Sequence, residues 1–169
     1  MRTSADKAQH PMAGAVQGVL PNALRPSQEV VVTALPLYHI FVLMVNFITY
    51  YSIGAENWLV PNPRDMESFH RGFAGSALHC LYRREHAFFD GLVIHPKIGE
   101  ADFSPLRVAV GGGAAVLPTT SAKWKALTGK DILEGYGLSE TSPILAVNPM
   151  TIEGFSGTVG LPLPSTDIK

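Results

Sequence analysis

Short apolar runs, each stopped by glycine or proline and each leading into a helix-like stretch, leave few folds open to this chain. "SPLRVAVGGGAAVLP" is an apolar strand broken by Gly111, Gly112 and Gly113, and "TSAKWKALTG" behind it predicts a helix that Gly129 ends. "DILEGYGLSET" follows as another strand running into a loop. Upstream, the β-branched "EVVVTALPLY" (Glu29–Tyr38) predicts a strand, with a helix from there to about Ile53. "AENWLVPNPRD" predicts a short strand, a Pro/Asn turn and a helix opening near Asp65. Strands and helices alternating at this spacing predict an α/β fold built from parallel βαβ units.

One segment competes with that picture. Between Val30 and Ala55 there is no Asp, Glu, Lys or Arg, so the run has the apolar character of a membrane span. Pro36, His39 and Asn46 interrupt it, and the strand that feeds it favours a buried strand followed by a buried helix. Peripheral contact with a membrane is compatible with the same run. Hydrophobic residues are 46% of the 169 and charged residues only 16%, below the usual quarter or so, which suits a piece cut from the interior of a larger protein. A net charge of −1 gives no electrostatic footprint for nucleic acid. The single cysteine, Cys80, excludes an internal disulfide and fits a reducing compartment. "MRTSADKAQH" at the start lacks the apolar core of a signal peptide, so a cytoplasmic location is expected, compatible with attachment to the inner face of a membrane. Residues 1–28 show no periodicity, are assigned no element and are expected to be poorly ordered.

Two loops therefore fall at the C-terminal ends of parallel strands, Gly111–Ala114 and Glu134–Thr141, the edge where open α/β sheets bind ligands. Three glycines let a flat ring or a phosphate approach the backbone closely. In the second loop, Tyr136 offers a face for stacking, Ser139 and Thr141 offer hydroxyls, and Glu140 offers an oxygen ligand for a hard cation such as magnesium. The glycine triplet alone is explained as well by a strand-to-helix turn. The contiguous acid, aromatic and hydroxyls of the second loop point more firmly to a nucleotide.

"EGYGLSETSP" resembles the signature loop of the adenylate-forming (AMP-binding) superfamily, and "TALPLYHIF", "GGGAAVLP" and "GTVGLPLPSTDIK" match its other motifs in order and spacing. The combination is most similar to the long-chain fatty acid–CoA ligases. The resemblance implies residues 29–169 to be a partial AMP-binding domain, part of the large N-terminal domain of such an enzyme. It implies ATP, magnesium and coenzyme A as cofactors, and activation of a fatty acid to an acyl-adenylate before transfer to coenzyme A. By that similarity Tyr136 packs near the adenine, with Gly111, Gly112, Gly113 and Ala114 on the same ring. Glu134, Gly135, Gly137, Leu138 and Ser139 wrap the nucleotide, Thr141 bonds the α-phosphate and Glu140 holds the magnesium. Tyr38 and His39 border the channel where acyl group and thiol meet; without the resemblance, His39 reads as a satisfied histidine in an apolar strand. The family's phosphate loop, ribose-binding acid and C-terminal domain with its catalytic lysine find no counterpart among these residues. The chain by itself is expected to be inactive, and a non-catalytic remnant with weak nucleotide binding is the alternative.

The resemblance lapses between "NPRDMESF" and "FDGL". There, "HRGFAGSALHCLYRREHAFFDG" (His70–Gly91) stands where the family carries a segment like "FTAFTGVNTLF". His79, Cys80, Glu85 and His86 fit no standard zinc spacing. Leu78–Phe88 can, however, be encoded so that a reading displaced by one base spells "FTAFTGVNTLF" throughout. A frameshift over residues 70–88 is the expectation, with a divergent surface helix as its rival.

Overall fold

The computed structural model describes residues 24–62, 65–67, 80–83, 86–141 and 143–168. The expectations for residues 1–23 and for most of the frameshift segment lie outside these. The first strand, β1, is Val30–Thr33. Its β-branched run favours extension, and it stops well short of Tyr38 because Pro36 offers no amide hydrogen for a sheet ladder. The helix that follows, α1, is a π-helix over Val42–Thr49 continued by an α-turn over Tyr50–Ser52. The charge-free run is thus a buried strand and a helix, and no helix among the described residues is long and apolar enough to cross a membrane. A polar cluster fixes α1 to the sheet. Asn46 Nδ2 donates to the Val32 carbonyl at 3.2 Å and to Thr33 Oγ1 at 3.1 Å, Thr33 Oγ1 donates to Asn57 Oδ1 at 2.6 Å, and Asn57 Nδ2 donates to the Asn46 carbonyl at 2.8 Å.

Six further strands complete a sheet: β2 (Glu56–Leu59), β3 (Cys80–Arg83), β4 (Val108–Gly112), β5 (Ile132–Gly137), β6 (Ile144–Val147) and β7 (Leu161–Pro162). The order is β2-β1-β3-β4-β5-β6-β7. From β2 to β5 all pairings are parallel; β5–β6 and β6–β7 are antiparallel, an edge the sequence reading did not foresee. β3 was likewise unforeseen: Cys80–Arg83, part of the segment expected to be frameshifted or a surface helix, is a central strand between β1 and β4. Helix α2 (His86–Ile94) precedes β4, and α3 (Pro118–Thr128) joins β4 to β5. Helix α3 opens on Pro118 and closes at Gly129 with φ 70°, as the glycine predicted.

Alternation along the strands divides the core in two. Val31, Val108, Val110, Leu133 and Val147 face Val45 and Tyr50 of α1. Val32, Ala109 and Ile132 face the other way, onto Phe88, Phe89 and Leu92 of α2 and Trp124 of α3. Both sheet faces are therefore covered, as parallel strands require. Trp124 is fully buried, with Phe89 and Phe103 edge-on at 5.1 and 5.6 Å. At the opposite end of the strands from the glycine loops, the buried Glu29 pairs with Arg107.

Candidate functional site

Strands β4 and β5 are in register with Gly111 opposite Glu134 and Gly112 opposite Gly135, so their two loops leave the sheet side by side. Beyond Gly112 the chain turns at Gly113, φ 75°. Beyond Tyr136 the ladder to β6 is bulged, and a Cβ on Gly137 would lie 1.7 Å from the carbonyl oxygen of Pro143. Only a glycine permits that approach, which brings Pro143 and Ile144 close against the end of the strand. A short 3-10 turn, Ser139–Thr141, occupies the bend. Thr141 holds it: Oγ1 accepts the Leu138 amide at 2.9 Å and turns its proton toward the carbonyls of Leu138, at 3.0 Å, and Pro143, at 3.1 Å.

Two cavities meet at this loop. One, of about 260 Å³, is lined by His39, Ile40, Phe41, Gly113, Gly135, Tyr136, Gly137, Leu138, Ser139, Glu140, Pro143 and Ile144. The other, of about 430 Å³, is lined by Gly111, Gly113, Ala114, Ala115, Glu134, Gly135, Tyr136, Gly137, Leu138 and the loop residues Gly157, Thr158 and Val159. Tyr136 borders both and is 44% exposed, so its ring is available for stacking. His39 Nδ1 accepts the Phe41 amide at 3.2 Å, which fixes the ring at the mouth of the first cavity.

Glu134 is the most perturbed acid here. Burial pushes its carboxyl above the ordinary 4.5, while hydrogen bonds from the backbone amides of Val116 and Gly157 oppose the rise. Its Oε2 is buried without a hydrogen-bond partner. Such an orphaned oxygen on a cavity wall suits a ligand that donates a hydrogen bond.

The structure thus gathers Gly111, Gly113, Ala114, Glu134, Gly135, Tyr136, Gly137, Leu138, Ser139, Glu140 and His39 around two adjoining cavities. Three expected residues line neither. Tyr38 is 88% exposed, Gly112 is buried against the Gly135 carbonyl, and the Thr141 hydroxyl is engaged inside its own loop. Ser139 and Glu140, both exposed on the wall of the first cavity, carry the outward-facing oxygens. Phe41, one of the aromatics beside His39 expected to border a channel, lines the first cavity; sequence reasoning missed Ile40, Pro143 and Ile144, and the wall Gly157–Val159. The signal for that wall was present in "GTVGLPLPSTDIK", which matched a family motif but suggested no role.

A parallel sheet whose C-terminal edge carries two glycine-bearing loops around paired cavities defines an α/β ligand-binding domain. The chain belongs to the family described as AMP-binding enzyme, whose model matches residues 8–169. It is 41% identical over 146 residues to a long-chain-fatty-acid–CoA ligase of Yersinia pestis, covering 86% of this chain and 26% of that protein. A ligase of the same name from Bacillus subtilis is 28% identical over 144 residues, covering 85% of this chain and 25% of the relative. The chain thus spans about a quarter of the length of these relatives. Among solved structures, the anthranilate CoA ligase AuaEII in complex with anthranoyl-AMP superimposes with a TM-score of 0.78 at 24% identity, over 91% of this chain and 29% of that one. The N-terminal domain of FACL13 from Mycobacterium tuberculosis gives 0.71 at 16% identity, over 82% and 34%. These likenesses establish the fold.

Proposed function

We propose that the chain supplies the nucleotide pocket of an enzyme that activates a long-chain fatty acid with ATP and passes the acyl group to coenzyme A. The observation that carries this reading is the convergence of Gly113–Ala114, Glu134, Tyr136, Ser139 and Glu140 on two joined cavities. The adenine lies in the larger cavity, between Ala114 and the Tyr136 ring, and its exocyclic amine donates to the unpartnered Glu134 Oε2. The phosphates run past Leu138 into the smaller cavity, where the Ser139 hydroxyl donates to them. Glu140, an exposed carboxylate on that wall, suits an oxygen-ligated divalent cation, and magnesium held there would offset phosphate charge. Thr141, which the resemblance assigned to the α-phosphate, is the brace that keeps Ser139 and Glu140 in place. His39 and Phe41 line the side on which the fatty carboxylate would approach the α-phosphorus. There the carboxylate oxygen bonds to phosphorus as pyrophosphate leaves; the coenzyme A thiol then bonds to the acyl carbon as AMP leaves. Fatty acid and coenzyme A as substrates suit a cytoplasmic enzyme working against the inner face of a membrane.

Calorimetric titration of a non-hydrolysable ATP analogue, with and without magnesium, tests the pocket. Wild type binds more tightly with magnesium, Glu140→Ala loses that dependence, and Tyr136→Ala binds about tenfold more weakly through lost stacking. Curves identical to wild type for both variants would remove the two residues from the site. Because the chain spans about a quarter of its relatives, a second reading, a non-catalytic remnant that binds nucleotide weakly, uses the same cavities. The purified chain alone is expected to form no oleoyl-CoA from ATP, oleate and coenzyme A; sustained formation would refute that expectation and exclude the remnant.

A further inference from the structure

One wall of the larger cavity, Gly157–Val159, is an exposed loop with no regular structure, yet it faces the site through backbone and short side chains. One buried residue beside the sheet, Asn148, holds it. The Gly157 amide lies near the Glu134 carboxyl, whose rise in pKa it opposes. Asn148, just past β6 and 2% exposed, donates from Nδ2 to Ser156 Oγ at 2.7 Å and to the Thr158 carbonyl at 3.1 Å. Ser156 Oγ in turn accepts the Thr158 amide at 3.2 Å and lies 3.1 Å from Thr158 Oγ1. Asn148 is itself tied to β5, its amide donating to the Glu134 carbonyl at 2.9 Å. One chain of bonds therefore runs from the β5 backbone at Glu134, through Asn148, to the opposite loop.

Asn148 also keeps an anomaly. Its Oδ1 is buried without a partner, a cost that an apolar side chain of the same size would not carry. Filling space does not account for an asparagine at this position, whereas its two outgoing bonds to the loop do. We infer that Asn148 is a positioning residue that fixes the Ser156–Val159 loop as a wall of the adenine cavity, so that its removal weakens binding of the base without touching the phosphate end. The inference rests on the nucleotide reading above.

The test compares wild type, Asn148→Leu and Ser156→Ala by calorimetry with adenosine and with the ATP analogue, with and without magnesium. Asn148→Leu relieves the orphaned oxygen but is bulkier and removes both bonds to the loop, so its urea unfolding is followed first to show that it is folded. It binds adenosine about ten- to thirtyfold more weakly, the equivalent of two lost hydrogen bonds. Ser156→Ala, on the loop itself, loses one bond and about fivefold in affinity, which keeps the inference testable should the buried variant fold poorly. The factor by which magnesium tightens ATP-analogue binding stays at its wild-type value in both. A purely structural Asn148 would change the unfolding midpoint and leave adenosine affinity alone. Adenosine affinities within twofold of wild type in both variants would overturn the positioning role while leaving the pocket standing. Wild type that binds neither ligand would overturn the pocket and this inference together.

Discussion

Replacing Gly137 with alanine isolates the contact on which the whole loop is folded. The added Cβ would sit 1.7 Å from the Pro143 carbonyl oxygen, 2.6 Å from its carbon and 2.8 Å from the Ile144 Cα. Carbon and oxygen not bonded to each other settle at about 3.3 Å or more, so two stretches of backbone must separate by about 1.5 Å. No flexible side chain is present to yield, and the Pro143 carbonyl also accepts from Thr141. Overpacking costs about 1–3 kcal/mol, and a backbone obstacle places Gly137→Ala at the upper end, about 3 kcal/mol out of a total on the order of 5–15. Two other glycines calibrate the figure. At Gly154 a Cβ meets nothing within 4 Å but φ is +79°, so alanine costs about 1–2 kcal/mol from backbone conformation alone. At Gly99 there is open space and no positive φ, and alanine stabilises by about 0.5 kcal/mol through the unfolded chain. Urea unfolding followed by far-UV circular dichroism gives the three midpoints at constant slope. The expected order of destabilisation is Gly137, Gly154, Gly99. A Gly137→Ala cost within about 1 kcal/mol of Gly99→Ala would refute the steric reasoning.

Trp124→Ala, at the centre of the helix-side core, should cost about 4 kcal/mol, read as a lowered midpoint of thermal denaturation. Glu134→Gln tests the burial of the acid. Because the folded carboxyl titrates above 4.5, its ionisation penalty is absent below that pH and grows as pH rises through the folded value; stability owed to this group therefore falls with rising pH. Glu134→Gln should thus be favoured over wild type at neutral pH and lose that advantage on acidification toward pH 4.5, as read from urea midpoints across pH; an advantage independent of pH would contradict this account. Thr141→Val should lower stability by about 1 kcal/mol through loss of the Leu138 cap, whereas Ser139→Ala should change it by less than about 0.5, measured by the same unfolding assay. Sequencing the coding DNA across residues 70–88 checks the frameshift: codons incompatible with the displaced reading exclude it.

The most legible parts of the fold were those whose signals are local. β4, α3 and β5 announce themselves through an apolar run, a proline at the helix start and Gly129 at its end, and their parallel pairing follows from the single helix between them. β3 was illegible because "CLYR" has neither β-branched enrichment nor alternation and joins the sheet through partners far away in the chain, Val31–Thr33 and Val108–Gly111. β6 and β7 were missed for a related reason: each is only a few residues long, β6 being placed by the bulge and close approach at Gly137 and β7 by its pairing with β6. At the site, the two signature loops stood out because acid, aromatic and hydroxyls are contiguous in the second, and the structure sets the two loops side by side. Roles that depend on direction did not stand out. Nothing in "LSET" says that the threonine turns inward to brace its own loop while the serine faces out, nor that Asn148 reaches across to Thr158.

The sheet order has a kinetic consequence. β1 pairs with β2 nearby, but its other neighbour is β3, whose Cys80 must find Val31 across the intervening chain before β4 can add to the far side. Closing that loop costs entropy before any contact repays it, so refolding should be slow relative to a helical bundle of equal length. Until β3 docks, β1 and β4 each present an unpaired edge of nearly continuous buried valine and alanine, the kind of surface on which two copies of a chain join by mistake. Yield on refolding should therefore fall as protein concentration rises, and the segment from Cys80 to Arg83 is the element that decides it.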